Sequence, residues 1–366
     1  MINRRHFLQL SALATWPRHA VAGKAGTTSD QAVPTLLSAS WSDEVMSAGM
    51  ISGETYQPIA LPGRGHGIVA LPASGEAIVV SRRLGSWLAK INWQRGEVVQ
   101  LREAEFDRHY FGHAILTPDG KTLITTENND DSSQGLLGIY DVANLKRIAE
   151  LPTWGIGPHE MIWLVPGKIL AIANGGVLTL PETGRAKINR GQMNPSLVLL
   201  EWPSGKKLAE YVLEDKALSI RHLARSHDGT IGIALQAEYA KAEQHLNAPL
   251  LALLKPNADQ LQLAAQAPAL QGYGASIAAV HDAQLGSQFL ISALRGNQLA
   301  RWQSDGTPLA SLNLLRPAGI ASDGKQAWIS SETGVLAHYQ MGGDTLTMCP
   351  MQGTPRWDNH LVLVKN

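Results

Sequence analysis

The chain lacks several features that would assign it to familiar classes of protein. Cysteine occurs once, as Cys349, which excludes an intramolecular disulfide and any site built from paired cysteines. An excess of basic residues is also missing, because 31 Lys and Arg balance 31 Asp and Glu. Binding to nucleic acid, which needs a basic surface to neutralise phosphates, is therefore not expected.

Long apolar runs and common catalytic motifs are absent as well. After the N-terminal segment, no run of about 18 apolar residues predicts a membrane span. The sequence contains no glycine-rich phosphate loop, no G-x-S-x-G and no H-E-x-x-H pattern. Helical periodicity is almost missing, whereas 35 glycines and 19 prolines indicate many turns. These observations favour an all-β fold.

The first residues of the chain have the pattern of an export signal. Arg4 and Arg5 precede Phe7 and a short, weakly apolar stretch, and the small residues of AVAG predict cleavage after Ala22. Paired arginines followed by a bulky apolar residue are typical of a twin-arginine signal. The alternative is a Sec signal that happens to contain two arginines. We expect residues 1–22 to be a twin-arginine-type signal and the mature protein to be periplasmic.

A strand–turn–strand unit recurs along the chain. RGHGIVALPASGEAIVV, FGHAILTPDGKTLITTEN and GPHEMIWLVPGKILAIANG begin at Arg64, Phe111 and Gly157. IRHLARSHDGTIGIALQ and LRPAGIASDGKQAWISS begin at Ile220 and Leu315, and a degenerate copy begins at Tyr273. Each unit joins two apolar strands through a glycine-containing turn, and third and fourth strands usually follow. A repeat of roughly 50 residues with four short strands is typical of a propeller blade.

The strands outside these six copies lie at both ends of the chain. TLLSASWS, EVMSAGMIS and TYQPIALP precede the first copy, and RWDNHLVLVKN follows the last. A seventh blade that combines the N- and C-terminal strands would leave no open sheet edge. We therefore predict that residues 23–366 form a single all-β domain, a β-propeller of seven blades closed by pairing of the terminal strands.

Histidine recurs at the start of the inner strands. In a propeller the inner strand lines the central channel and the second strand returns beside it, so the start of one and the end of the other share a face. Neutral imidazole is a common ligand of Fe, Cu and Zn, so the pattern predicts a transition-metal site on the axis. Glu160 is expected to point away from the channel, because side chains alternate along a strand. The predicted metal ligands are His66, His113, His159, His222 and His360.

Polar side chains at the ends of the second strands, together with arginines beside the histidines, are predicted to form a second ring around the central channel. Guanidinium, amide and carboxylate groups in this ring would hold a small polar or anionic ligand, with Arg64 and Arg221 neutralising an anionic co-ligand of the metal. The predicted ligand-binding residues are Arg64, Arg82, Glu127, Asn128, Asn174, Arg221, Gln236, Arg295 and Glu332.

Three other interpretations of these residues stay open. A histidine repeated once per blade also fits a structural cap that hydrogen-bonds the neighbouring blade. A propeller hydrolase or lactonase would instead use a metal-bound water, usually with carboxylate and amide ligands, for which the candidates are Glu127, Asn128, Asn174 and Glu332. An interaction scaffold would dock a partner protein and bind no ion. Because one fold hosts many functions, no catalytic residue is predicted.

The motifs RRHFL, RGHG, FGHAILTPDGKTLITTEN, GPHEM and SIRHLA resemble a family of exported bacterial propellers of unknown function. The resemblance covers nearly the whole mature chain and implies a seven-bladed periplasmic propeller. Genes of that family often lie beside those of imelysin-type periplasmic proteins and a di-haem oxidoreductase, in sets linked to iron acquisition, which implies other periplasmic iron-uptake proteins as partners. The histidines are also similar to those of the copper propeller of nitrous oxide reductase, whose cupredoxin domain is absent from this sequence. Residues and resemblance together predict a periplasmic propeller that binds a metal or metal complex at a histidine-rich axial site, with a role in iron acquisition.

Overall fold

Apolar residues are distributed differently in the second and outer strands of a sheet. The second strand Glu76–Ser81 is buried along nearly its whole length, because a neighbouring sheet packs on each of its faces. The outer strand Glu97–Glu103 alternates exposed and half-buried residues, as expected when one face meets solvent. Gly120, at a φ of 70°, closes the tight turn between two strands, where a residue with a β-carbon would be strained. Antiparallel sheets result from these local patterns.

The computed structural model describes residues 33–365 except positions 43, 185, 266 and 268. Within them, seven four-stranded antiparallel sheets surround a common axis, and this confirms the predicted all-β, seven-bladed propeller. The predicted signal, residues 1–22, lies outside the described residues. In the described part, no helix is long and apolar enough to cross a membrane.

The blades are numbered along the chain, and their strands run in order from the axis outward. Blade 1 consists of Arg356–Leu363, Leu36–Trp41, Met46–Ser52 and Thr55–Ala60, and blade 2 of Gly65–Leu71, Glu76–Ser81, Trp87–Asn92 and Glu97–Glu103. Blade 3 consists of Arg108–Leu116, Thr122–Asn129, Gly135–Asp141 and Arg147–Pro152, and blade 4 of Pro158–Val165, Ile169–Asn174, Ser196–Glu201 and Lys207–Val212. Blade 5 consists of Leu218–Arg225, Ile231–Ala237, Leu251–Leu254 and Gln262–Leu263, and blade 6 of Gly274–Asp282, Gly286–Ala293, Gln298–Gln303 and Pro308–Asn313. Blade 7 consists of Pro317–Ser322, Gln326–Ser331, Leu336–Gln340 and Thr347–Cys349, and short 3-10 helices cover Pro72–Ser74, Pro181–Thr183 and Ala242–His245.

Blade 1 is closed by both ends of the described chain, as predicted. Its inner strand pairs antiparallel with the N-terminal strand, for example through Leu363 with Leu36 and Arg356 with Trp41. Every inner strand contacts the inner strands of both neighbouring blades, which completes a ring around the axis. A buried apolar cluster lies at each junction between neighbouring blades. Burial of these clusters stabilises the ring and fixes the positions of the inner strands.

Candidate metal centre and the cavity above it

The five predicted histidines converge at the centre of the ring. The ring centroids of His66 and His360 are 4.4 Å apart, those of His113 and His159 4.5 Å, and those of His159 and His222 4.6 Å. These side chains come from blades 1 to 5, one from each, and their rings are buried or half-buried. The five imidazoles therefore lie together where the inner strands of these blades meet.

A β-bulge in the inner strand of each blade aims these side chains. In blade 4 the ladder pairs Pro158 with Asn174 and resumes at Met161 with Ile172, so two residues of one strand face a single residue of the other. Such a bulge interrupts the alternation of side chains and turns consecutive residues towards the same region. Irregularities at the corresponding place occur in the other blades. The histidines therefore do not share one position, as the sequence suggested. His66 and His159 stand two residues before the ladder resumes, His113 and His360 stand one residue before, and His222 is the residue at which it resumes.

The position just before the ladder resumes carries three of four potential metal ligands. It holds His113, Glu160 and His360, in blades 3, 4 and 1, and His222 of blade 5 is the residue at which the ladder resumes. One ligand atom from each of these four residues lies within 4.8 Å of the others. The prediction that Glu160 points away from the channel is wrong, because the bulge reverses the expected alternation. Its carboxylate accepts a hydrogen bond of 2.8 Å from the backbone N–H of Leu223 and lies 3.3 Å from Nδ1 of His222.

Three imidazole nitrogens of this cluster make no hydrogen bond. Nε2 of His113 and Nε2 of His360 are buried without a partner, and Nδ1 of His222 is buried with only the carboxylate of Glu160 nearby, at 3.3 Å. A buried polar atom without a partner costs roughly 1–3 kcal/mol, so a structural cap should not leave several of them together. A metal ion within reach of these nitrogens would satisfy their lone pairs, and the residues present therefore fit one.

His66 and His159, two residues before the ladder resumes in their blades, line a cavity of about 240 Å³, and His222 of the four-residue cluster lines it as well. Nδ1 of His66 donates to the carboxylate of Asp358 over 2.5 Å, which leaves Nε2 free to act as an acceptor or ligand. Arg64 and Arg82 hold the same carboxylate at 2.6 and 3.1 Å. Burial would raise the pKa of Asp358, but Arg82, His66 and Arg64 outweigh it and hold that pKa well below its usual range.

Burial also controls the charge of the histidines. It lowers the pKa of His113, His159 and His360 well below the usual 6.5, and neighbouring histidines lower them further. The pKa of His66 falls to about 4, because burial outweighs the opposing effect of Asp358. These imidazoles are consequently neutral at pH 7, which is the form that binds metals.

We expect the metal-free protein to lose stability as the pH falls from about 6.5 to 4. In that interval the unfolded chain protonates His66, whereas the folded chain, with a pKa of about 4, does not. The unfolded state then binds more protons, so the free energy of unfolding decreases with falling pH, by about 3 kcal/mol at pH 4 for this residue alone. Urea denaturation at a series of pH values measures the slope. His66→Gln should make it shallower, and a flat profile from pH 7 to 4.5 would contradict the expectation.

The structure brings together five of the nine predicted ligand-binding residues. Arg82, Arg221, Gln236 and Arg295 line the cavity, and Arg64 supports it through Asp358. Sequence reasoning missed Asp358 and Asn359, which stand just before His360, and Lys187, which reaches the cavity from the long connection between two strands of blade 4. The sequence signal for Asp358 was the polar pair Asp358 and Asn359 directly before His360 in an inner strand.

The other four predicted residues do not line the cavity. Glu127 is buried inside blade 3 and forms an ion pair with Arg147 of the outer strand, and Asn174 is buried and donates to the carbonyl oxygen of Thr153. Asn128 donates to the backbone of Asn129, and Glu332 forms an ion pair with Arg316 near the surface. The last side chains of the second strands therefore differ between blades: Gln236 lines the cavity, whereas Glu127 and Asn174 stabilise neighbouring strands and loops.

Comparison with known proteins supports the fold. The chain matches a family described as "Protein of unknown function (DUF1513)" over residues 59–364. No curated protein matches. A structure of hydrazine synthase from Kuenenia stuttgartiensis is similar over 81% of this chain and 90% of its own, with a TM-score of 0.61 and 14% identity. A functionally unknown protein from Desulfotomaculum acetoxidans is similar over 90% of this chain and 100% of its own, with a TM-score of 0.55 and 12% identity, and such likeness shows the fold alone.

Proposed function

This chain belongs to the DUF1513 family, as the resemblance in its sequence indicated, and we propose that it binds one transition-metal ion on the propeller axis. One observation carries the proposal: ligand atoms of His113, Glu160, His222 and His360 lie within 4.8 Å of one another. Two ligands on a single ion at about 2.1 Å are separated by roughly 3–4 Å, so small side-chain rotations suffice to bring all four to one ion.

The donor set selects the class of metal. Three imidazole nitrogens and one carboxylate oxygen suit Fe, Cu or Zn. Calcium, by contrast, takes six to eight oxygen ligands and few nitrogen ligands. The alternative of a calcium-type hydrolase or lactonase loses support, because its candidate ligands Glu127, Asn128, Asn174 and Glu332 do not reach the cavity.

The hydrogen bond between His66 and Asp358 supplies further support for a bound ion. The carboxylate of Asp358 accepts a hydrogen bond from Nδ1–H of His66. This hydrogen bond fixes the tautomer in which Nε2 is the free nitrogen. A carboxylate behind a histidine has this orienting role in many metal sites, where it also makes the imidazole more basic. His66 and His159 would therefore contact a metal complex whose ligands extend into the cavity.

The proposal extends to the place and purpose of binding. The arginine pair of the leader favours export to the periplasm, and the gene neighbourhood implied by the family resemblance favours a role in iron acquisition beside other iron-uptake proteins. A periplasmic protein with a small axial site of this kind would act as a carrier or sensor of a metal complex. The first test of this proposal is whether the purified protein contains a metal.

Elemental analysis by mass spectrometry tests the proposal on protein purified without chelator or affinity tag. About one equivalent of Fe, Cu or Zn per chain is expected, and Glu160→Gln should weaken rebinding of that metal by about 10–100-fold, because it replaces a charged oxygen ligand by a neutral one. The glutamine oxygen can still accept the hydrogen bond from Leu223, so circular dichroism should be unchanged.

The opposite result would favour a different function. If the purified protein holds no metal and takes up none when titrated with Fe²⁺, Cu²⁺ and Zn²⁺, the histidines are structural caps. The interaction scaffold would then be the better hypothesis. Bound calcium without any transition metal would instead return support to the hydrolase.

A further inference from the structure

The cavity above the histidine cluster is surrounded by positive charge. Among the side chains that line it are Arg82, Arg221, Arg295 and Lys187, contributed by four different blades. Their groups face the same small space from several sides. Polar surface predominates in its wall, in contrast to the mainly apolar lining of most ligand pockets.

The nearby carboxylates do not balance these charges. Glu238 is shared by Lys187 and Arg221, and Asp358 is shared by Arg64 and Arg82. Arg295, in contrast, stacks on the ring of Tyr273 at 4.9 Å, and no carboxylate of the described residues lies within ion-pair distance of it. Of the five cations named here, four share two carboxylates and Arg295 pairs with none, an excess that is costly in a partly enclosed space unless an anion enters.

Arg221 shows where the missing anion would bind. Its side chain is only 4% exposed and lines the cavity, yet its Nε–H is buried without an acceptor. Nδ1 of His159, in the same wall, is also buried and unpaired. Buried donors are nearly always paired in folded proteins, so an unpaired guanidinium N–H in a cavity wall indicates a ligand oxygen.

We infer that this cavity is a binding site for a small oxyanion that carries at least two negative charges, such as a phosphate or a dicarboxylate. Cations on several sides match oxygens at both ends of one ligand, and guanidinium groups pair bidentately with phosphate and carboxylate alike. A volume of about 240 Å³ lies below that of sites for drug-sized ligands, so the ligand is small. The inference goes beyond the metal proposal, since none of these cations belongs to the four-residue cluster.

Titration calorimetry on the metal-free protein, in chloride-poor buffer, tests the site with inorganic phosphate and with malonate. One equivalent of at least one of them should bind, with an affinity that falls as ionic strength rises. Stronger binding of phosphate points to a phosphate ester as the natural ligand, and stronger binding of malonate points to a carboxylate. Absence of binding of both anions at 10 mM would overturn the inference.

Two variants and a matched control locate the bound anion. Arg295→Gln, at an exposed position that folding does not require, should weaken binding about tenfold or more, and Arg221→Gln should weaken it at least as much. Arg225→Gln removes an exposed arginine from the far end of the strand that carries Arg221 and should leave the affinity unchanged. Equal weakening in all three would mean nonspecific attraction to surface charge and would also overturn the inference. The calorimetry uses metal-free protein, so the anion affinity does not depend on the metal proposal. Metal uptake is measured separately, in chloride buffer, and tests the metal proposal on its own.

Discussion

Protein with both His113 and His222 replaced by alanine will bind Zn²⁺ at least about 10³-fold more weakly than the unchanged protein. Structural zinc sites with four protein ligands have apparent binding free energies of roughly 10–16 kcal/mol, so each ligand contributes about 3 kcal/mol. Loss of two of the four clustered ligands then exceeds a factor of about 10³ in the dissociation constant. Competition with a chromophoric chelator measures the affinity, and circular dichroism checks that the propeller is intact.

A second pair of histidines provides the control for this double variant. The rings of His227 and His281 stack with centroids 4.1 Å apart at the opposite end of the inner strands, outside the four-residue cluster. His227→Ala combined with His281→Ala removes the same number of imidazoles and should change zinc affinity less than about twofold. If this control loses as much affinity as the axial variant, zinc does not bind at the axis and the proposed site is wrong.

The largest expected loss of stability concerns Glu127. Its carboxylate is fully buried, accepts hydrogen bonds from Thr125 and Tyr140 at 2.6 and 2.7 Å, and forms an ion pair with Arg147. Glu127→Ala leaves that arginine without its buried partner, and we expect the free energy of unfolding to fall by about 3–5 kcal/mol. Urea denaturation measures the change. Metal affinity should stay the same, because this side chain does not line the cavity.

Glu150 is a suitable control, since it also pairs with Arg147. Its side chain is 43% exposed, against 1% for Glu127, so solvent screens its interaction. Glu150→Ala should therefore lower the free energy of unfolding by less than about 1 kcal/mol. A Glu127→Ala protein with normal stability and impaired metal binding would show that the carboxylate is a ligand after all.

The repeat made most of the fold predictable. Each copy carries a glycine turn between two apolar strands, and the unpaired strands at both chain ends required a seventh blade. The convergence of His66, His113, His159, His222 and His360 followed from topology, because equivalent positions in a propeller surround the axis whatever the details of the strand. The positions of these histidines therefore depended only on which strand each residue belongs to.

Predictions that depended on the direction of a side chain were less reliable. Strict alternation assigned Glu160 to the wrong face, because the bulge at this point inserts residues that alternation does not count. The ends of the second strands were placed at the channel mouth, yet Glu127 and Asn174 are buried between strands and loops. Bulges depend on backbone geometry that has no short sequence signal beyond the glycines near them, such as Gly67 and Gly112. At Gly67 a β-carbon would lie 2.4 Å from the carbonyl oxygen of Gly112, so close contact between neighbouring inner strands requires its absence.

Closure of the ring by the two ends of the chain has a consequence for the order of assembly. His360 and Asp358 both lie on the inner strand of blade 1, which joins the ring only when it pairs with the strand Leu36–Trp41. Partly folded chains whose ends have not met would therefore lack one ligand of the cluster and the carboxylate that orients His66. An ion held by His113, His222 and His360 would in turn join blades 3, 5 and 1 across the axis. Tight metal retention would thus distinguish closed molecules from open ones, and the ion would oppose separation of the two terminal strands.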